Sequence, residues 1–218
     1  LFVRRGLGLH QTGLESSVSA LNPEKLAAFH QTMVTPKNAV VSIFGNFDRD
    51  ALLAELNTRL GDWKSGTAFD ALPETKAVDE AKRVVQKADK KQAVVVVGFA
   101  GVDIRNEDRF ALELIQECCS DLGSRLFTRI RDDLGLAYYV GAQNVLGLVP
   151  GFFAFYAGTS PENAAKVEEE ILKEARELAK NGLSEEELKR AKAKLLGHNK
   201  ISRQELGNLA TSTALDEL

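Results

Sequence analysis

The segment Ser124-Arg-Leu-Phe-Thr-Arg-Ile-Arg-Asp-Asp-Leu-Gly-Leu-Ala-Tyr-Tyr-Val140 holds the residues best suited to chemistry. Arg125, Arg129 and Arg131 fall on one short predicted helix, Ser124 to Asp132. A Gly-Leu-Ala turn follows, then a strand that opens with Tyr138 and Tyr139. A guanidinium at a helix end and a phenol at a strand start can converge on one point. Together they supply a fixed cation and a hydroxyl donor, the groups that hold a carbonyl or a developing oxyanion. The competing reading is surface arginines and core tyrosines.

Other chemistries find less support. The histidines are His10, His30 and His198, too far apart in the chain for a His-x-x-Glu-His or His-Glu-x-x-His zinc motif. No metal site is expected here. Three scattered histidines and no Gly-x-Ser-x-Gly elbow leave nucleophilic catalysis without a pattern. Gly98-Phe99-Ala100-Gly101 follows a predicted strand but lacks the other glycines and the Lys-Ser/Thr ending of a phosphate loop, so close backbone packing explains it better. Asp132 and Asp133 are neighbours that do not face each other, and they read as exposed turn residues rather than an acid pair. Cys118 and Cys119 are adjacent, a spacing that would strain a disulfide; two small buried hydrophobes is the favoured reading over a redox or metal role.

The chain has 218 residues, a formal charge of −3 and 44% hydrophobic residues. Those values suit a folded chain with a real core and argue against disorder. The balanced charge gives no basic field for nucleic acid. The longest apolar run, Ala93 to Val102, is too short and glycine-broken to span a membrane. The chain begins at Leu1 and shows no charged n-region before an apolar stretch. It therefore reads as a piece of something longer, and its compartment, cytoplasmic or periplasmic, is not legible.

The elements that must position the Arg/Tyr segment follow from caps and periodicity. Asn22-Pro23 starts a helix through Leu26, Phe29 and Met33 that stops at Thr35-Pro36. Ala39 to Phe44 reads as a buried strand. Asp48 caps a helix carrying Leu52, Leu56 and Leu60, with Gly61 as its stop. Residues 64–80 lose periodicity and read as a linker. Arg83 to Gln86 and Gln92 to Ala100 look like strands, the second apolar on both faces and so expected at the centre of a sheet. A helix from Asn106 through Cys118 precedes the Arg/Tyr segment. Ala137 to Val145 and Gly151 to Gly158 read as a hairpin. Ser160-Pro161-Glu162 starts a helix with Val167, Ile171, Ala175 and Leu178 on one face, and Ser184 with Glu187 forms a capping box for another. The expected class is α+β in two layers, a mostly antiparallel sheet with helices on one face.

The Arg/Tyr segment resembles the pitrilysin/insulinase/mitochondrial-processing-peptidase family of inverted-motif zinc peptidases. The family pattern is roughly S-R-L-F-x-x-[LIV]-R-x-x-x-G-L-[AG]-Y. It stands here as Ser124-Arg125-Leu126-Phe127, Ile130-Arg131 and Gly135-Leu136-Ala137-Tyr138. Ala20 to His30, Asn38 to Asp48, Gln92 to Gly98 and the Gly182-Leu-Ser-Glu-Glu-Glu-Leu stretch also fit in order. The glycines usual before the motif are mostly replaced by Cys118-Cys119-Ser120-Asp121-Leu122, and the zinc motif is missing. The resemblance implies the domain opposite the metal: residues 1–63 as the tail of a preceding domain, 64–80 as the boundary, 81–218 as the domain with the Arg/Tyr motif.

It further implies that Arg131 and Tyr138 act on a peptide carbonyl and the tetrahedral intermediate, beside zinc held by an N-terminal half or partner subunit. Ser124, Arg125, Phe127 and Tyr139 are the implied substrate-binding residues. This chain alone would then carry no cofactor and no activity. If the Ala39–Phe44 strand has lost neighbours, a homodimer or an unusual docking of this part is expected. Two other readings compete: a non-catalytic scaffold subunit, like the respiratory-complex core proteins that share the family's fold, and a generic α+β interaction module.

Overall fold

A computed structural model describes residues 8–69 and 80–217. The site is built on a three-stranded antiparallel sheet of β1 (Ala93–Ala100), β2 (Ala137–Val145) and β3 (Phe152–Thr159), in the order β1-β3-β2. The hairpin of β2 and β3 is the one the sequence predicts. Alternate residues Val95, Val97, Val140, Ala142, Phe155 and Ala157 turn to one face, where they meet helices α4 (Arg109–Cys119) and α5 (Ala164–Asn181). The predicted α5 stripe works as expected. Val167 and Ile171 are fully buried, each contributing about 1.5–3 kcal/mol by leaving water. The fold is α+β, with the sheet covered on one side.

The edge of β2 away from β3 is met by side chains of α4 and of Ser120, its C-cap. Ser120 Oγ accepts from Ala142 N–H at 3.2 Å and donates to Ala142 O at 2.9 Å. Gln116 Oε1 accepts from Asn144 N–H at 2.6 Å. Cys118 and Cys119 at the end of α4 are buried and form no disulfide, and burial raises both thiols, that of Cys119 to about 12, which disfavours the nucleophilic thiolate.

Two predicted strands are not strands here. Ala39–Phe44 and Arg83–Gln86 join no ladder among the described residues. Both have the right composition, but a strand exists only through a neighbour's hydrogen bonds. The third difference is the place of β1. It lies at an edge of the sheet rather than its centre, and Val94 and Val96 on its second face are each 62% exposed.

The helix signals hold. Asn22 Oδ1 accepts from Lys25 N–H to start α2 (Pro23–Met33), and Asp48 Oδ1 accepts from Ala51 N–H to start α3 (Arg49–Leu60). Ser184 and Glu187 form the predicted capping box of α6 (Glu185–Ser202). Two helices escape the sequence reading, α1 (Glu15–Ser19) and α7 (Leu206–Asp216).

The described residues divide into two compact units, 8–9 with 80–197 and 10–69 with 198–217. By contacts, residues 198–217 thus group with 10–69. Most of the expected 64–80 linker lies outside the described residues. In the 10–69 and 198–217 unit Thr35 is the one buried residue among those described, and Leu26 and Phe29 of α2 stay exposed. No helix among the described residues is long and apolar enough to cross a membrane.

Candidate functional site

Ser124 opens the site. Its side chain is fully buried, and its hydroxyl accepts from Phe127 N–H at 3.1 Å, fixing the first turn of the helix that follows. That helix is wound as a π-helix over Phe127–Asp133, a rare geometry found disproportionately at functional sites. Gly135 ends it at φ 62°, where a side chain would be strained. Gly135 N–H donates to Arg131 O, and Leu136 N–H reaches back to Ile130 O at 2.9 Å. The chain then enters β2 immediately.

The three arginines of the helix have different fates. Arg125 makes a two-pronged pair with Glu187 of α6, Nε to Oε1 at 2.8 Å and a terminal nitrogen to Oε2 at 2.6 Å. Both side chains are largely shielded from water. The Arg125 hydrogen bond, aided by Ser184, holds the Glu187 carboxyl down at about 2. Arg129 pairs with Glu170 of α5 at 3.3 Å. Burial works against the charged form of Glu170, but Arg129 and nearby lysines outweigh it and keep that carboxyl below its usual range. Arg131 has no carboxylate and no hydrogen-bond partner among the described residues. Its guanidinium lies over the Phe127 ring, 4.6 Å from the centroid, on an exposed surface.

Tyr138 occupies a β-bulge. In the pairing of β2 with β3, Ala137 faces Thr159 and Tyr139 faces Gly158, so Tyr138 is the additional residue between them. A bulge re-aims the side chain it carries, and Tyr138 is 56% exposed with no hydrogen-bond partner among the described residues. Tyr139 lies across Gly158, where a Cβ would come within 2.2 Å of the ring, and is 6.2 Å from the Tyr156 ring.

The candidate residues therefore separate. Arg131, Phe127, Tyr138 and Tyr139 reach the surface on either side of one tight turn. No hydrogen bond joins Arg131 to Tyr138, which leaves both sets of donors open. Ser124 and Arg125, expected to face a peptide, are committed to the fold, because a buried hydroxyl and a shielded guanidinium must be satisfied internally. Sequence reasoning missed Thr159, whose fully buried hydroxyl donates to Leu136 O inside that turn. The bulge did leave a signal: two adjacent tyrosines stand between the apolar Ala137 and Val140, so the strand does not alternate strictly there.

Among the described residues no three His, Cys, Asp or Glu side chains gather where a metal ion could be held. The described residues do not fit a zinc site.

Residues 20–195 match the family described as the peptidase M16 inactive domain. Curated relatives include an uncharacterized zinc protease of Streptomyces coelicolor, 27% identical over 227 residues, covering 100% of this chain and 49% of the relative. Another, from Bacillus subtilis, is 24% identical, covering 97% of this chain and 51% of the relative. The chain thus spans about half the length of the curated relatives it matches. Among solved structures, a peptidase M16 inactive domain from Pseudomonas fluorescens superposes with a TM-score of 0.82 at 21% identity, over 95% of this chain and 50% of that one. A chain of complex III2 from Candida albicans superposes with a TM-score of 0.73 at 18% identity, over 95% and 51%. These likenesses concern the fold.

Proposed function

The chain belongs to the peptidase M16 inactive-domain family, and on that premise we propose that it is the substrate-holding half of a zinc metalloendopeptidase. Arg131 and Tyr138 bind the scissile carbonyl of a peptide, and Phe127 and Tyr139 contact the chain beside it. The zinc belongs to a part of the complete protein, or to a partner subunit, that supplies the ligands these residues lack. The observation that carries this reading is the state of Arg131. Two of three arginines on one helix are neutralised by α5 and α6, while the third makes no ion pair among the described residues and stands seven residues before a tyrosine presented on a bulge.

The chemistry follows from charge. A peptide carbonyl oxygen accepts hydrogen bonds from the Arg131 guanidinium and the Tyr138 hydroxyl. As the carbonyl carbon becomes tetrahedral, its π electrons move onto that oxygen. Both bonds then strengthen, so they favour the transition state over the ground state. The test uses the complete protein on an unstructured peptide. Tyr138→Phe is expected to lower kcat about tenfold to a hundredfold with an unchanged melting temperature. A Tyr138→Phe enzyme at wild-type rate would exclude the assignment.

A scaffold role is the second reading, and the fold likeness to a complex III2 chain favours it. A complete protein that cleaves no peptide but copurifies with a fixed partner would support it. For assembly, the Ala39–Phe44 segment, which joins no ladder among the described residues and leaves Val41 well exposed, supports a homodimer of this chain. Light scattering is expected to report twice the chain mass; a clean monomer argues against it.

A further inference from the structure

We propose that Thr159 is a positioning residue of the site, setting the spacing between the helix end that carries Arg131 and the bulge that carries Tyr138. The inference rests on the reading of Arg131 and Tyr138 as carbonyl-binding residues. Leu136 is the link between the two groups, five residues after one and two before the other. Its backbone is held at both ends. Leu136 N–H donates to Ile130 O, the carbonyl of the residue just before Arg131. Leu136 O accepts from the Thr159 hydroxyl.

Thr159 cannot follow a moving loop. Its side chain is fully buried, and its backbone is fixed in register on both sides, opposite Ala93 in β1 and Ala137 in β2. The next residue back, Gly158, pairs with Tyr139 just past the bulge, and its missing side chain lets the Tyr139 ring lie on the sheet. Two adjacent β3 residues thus grip the turn, one before Tyr138 and one after it. The guanidinium rests on the Phe127 ring of its own helix, and no hydrogen bond joins it to the phenol, so the backbone between them sets their separation. An anchored strand hydroxyl is the group that ties that backbone to the sheet.

The experiment is a double-mutant cycle in the complete protein, with kcat, KM and melting temperature measured on a peptide substrate. Thr159→Val is expected to lower kcat about tenfold with KM within about twofold, because displaced groups lose transition-state contact before they lose binding. Thr159→Ser keeps the hydroxyl and is expected to restore the rate. In the Tyr138→Phe background Thr159→Val should cost nothing more, because the group it positions has already lost its donor. Should Thr159→Val fail to fold, Thr159→Cys takes its place in the cycle. Multiplying effects, or Thr159→Val at wild-type kcat, overturns the inference while an impaired Tyr138→Phe leaves the carbonyl reading standing. Tyr138→Phe at wild-type rate removes that reading and this inference with it.

Discussion

Replacing Arg131 by alanine in the complete protein is expected to lower kcat about 10²–10³-fold, the cost of removing one preorganised donor to an oxyanion. Stability should hardly change. Arg131 makes no ion pair or hydrogen bond among the described residues, and its stacking on Phe127 is worth about 0.5–1 kcal/mol at an exposed site. A loss of that size moves the melting temperature of a chain this long by about 2–4 °C at most. Arg131→Lys should fall between, since an ammonium keeps the charge and loses the planar fork. The pattern separates chemistry from folding. A large fall in melting temperature with a matching fall in activity would mean that Arg131 serves the fold, and wild-type turnover would mean that it serves neither.

What the sequence reveals of this site depends on how far apart its partners lie. Helix starts are legible because the capping oxygen and its N–H lie three residues apart, as with Asn22 and Lys25, Asp48 and Ala51, or Ser184 and Glu187. The spacing of Arg131 and Tyr138 is legible for the same reason, since both sit in one short motif. Pairings across the chain are not. Arg125 finds Glu187 62 positions away, and Thr159 finds Leu136 23 positions back. Nothing local distinguishes an arginine that will be neutralised from one that will stay free. Strand composition misleads in a related way. Ala39–Phe44 and Arg83–Gln86 have the residues of strands but join no ladder among the described residues, while β1, apolar on both faces, is an edge. Hydropathy says that a segment wants to be covered. It does not say by what.

Arg125→Ala is expected to destabilise the fold by about 2–4 kcal/mol, because it leaves the Glu187 carboxylate shielded without its main partner. The same pair sets an acid dependence whose sign follows from the carboxyl. Glu187 sits at about 2 in the folded chain against an ordinary 4.5, so folding favours its charged form. Its contribution is complete above pH 4.5 and is lost as the pH falls toward about 2. That contribution amounts to about 3 kcal/mol. Urea unfolding at pH 7, 5 and 3 should therefore show wild-type stability falling more steeply with acid than that of Arg125→Ala. Equal acid slopes would disconnect the carboxyl from Arg125. Kinetics supply the second half of the argument. A residue that binds peptide raises KM when it is removed, whereas a residue that ties the Arg131 helix to α6 lowers the folded fraction and leaves the KM of the folded enzyme alone. Measured well below its melting temperature, Arg125→Ala should keep the wild-type KM, which places the boundary between fold and site within one helix, between Arg125 and Arg131.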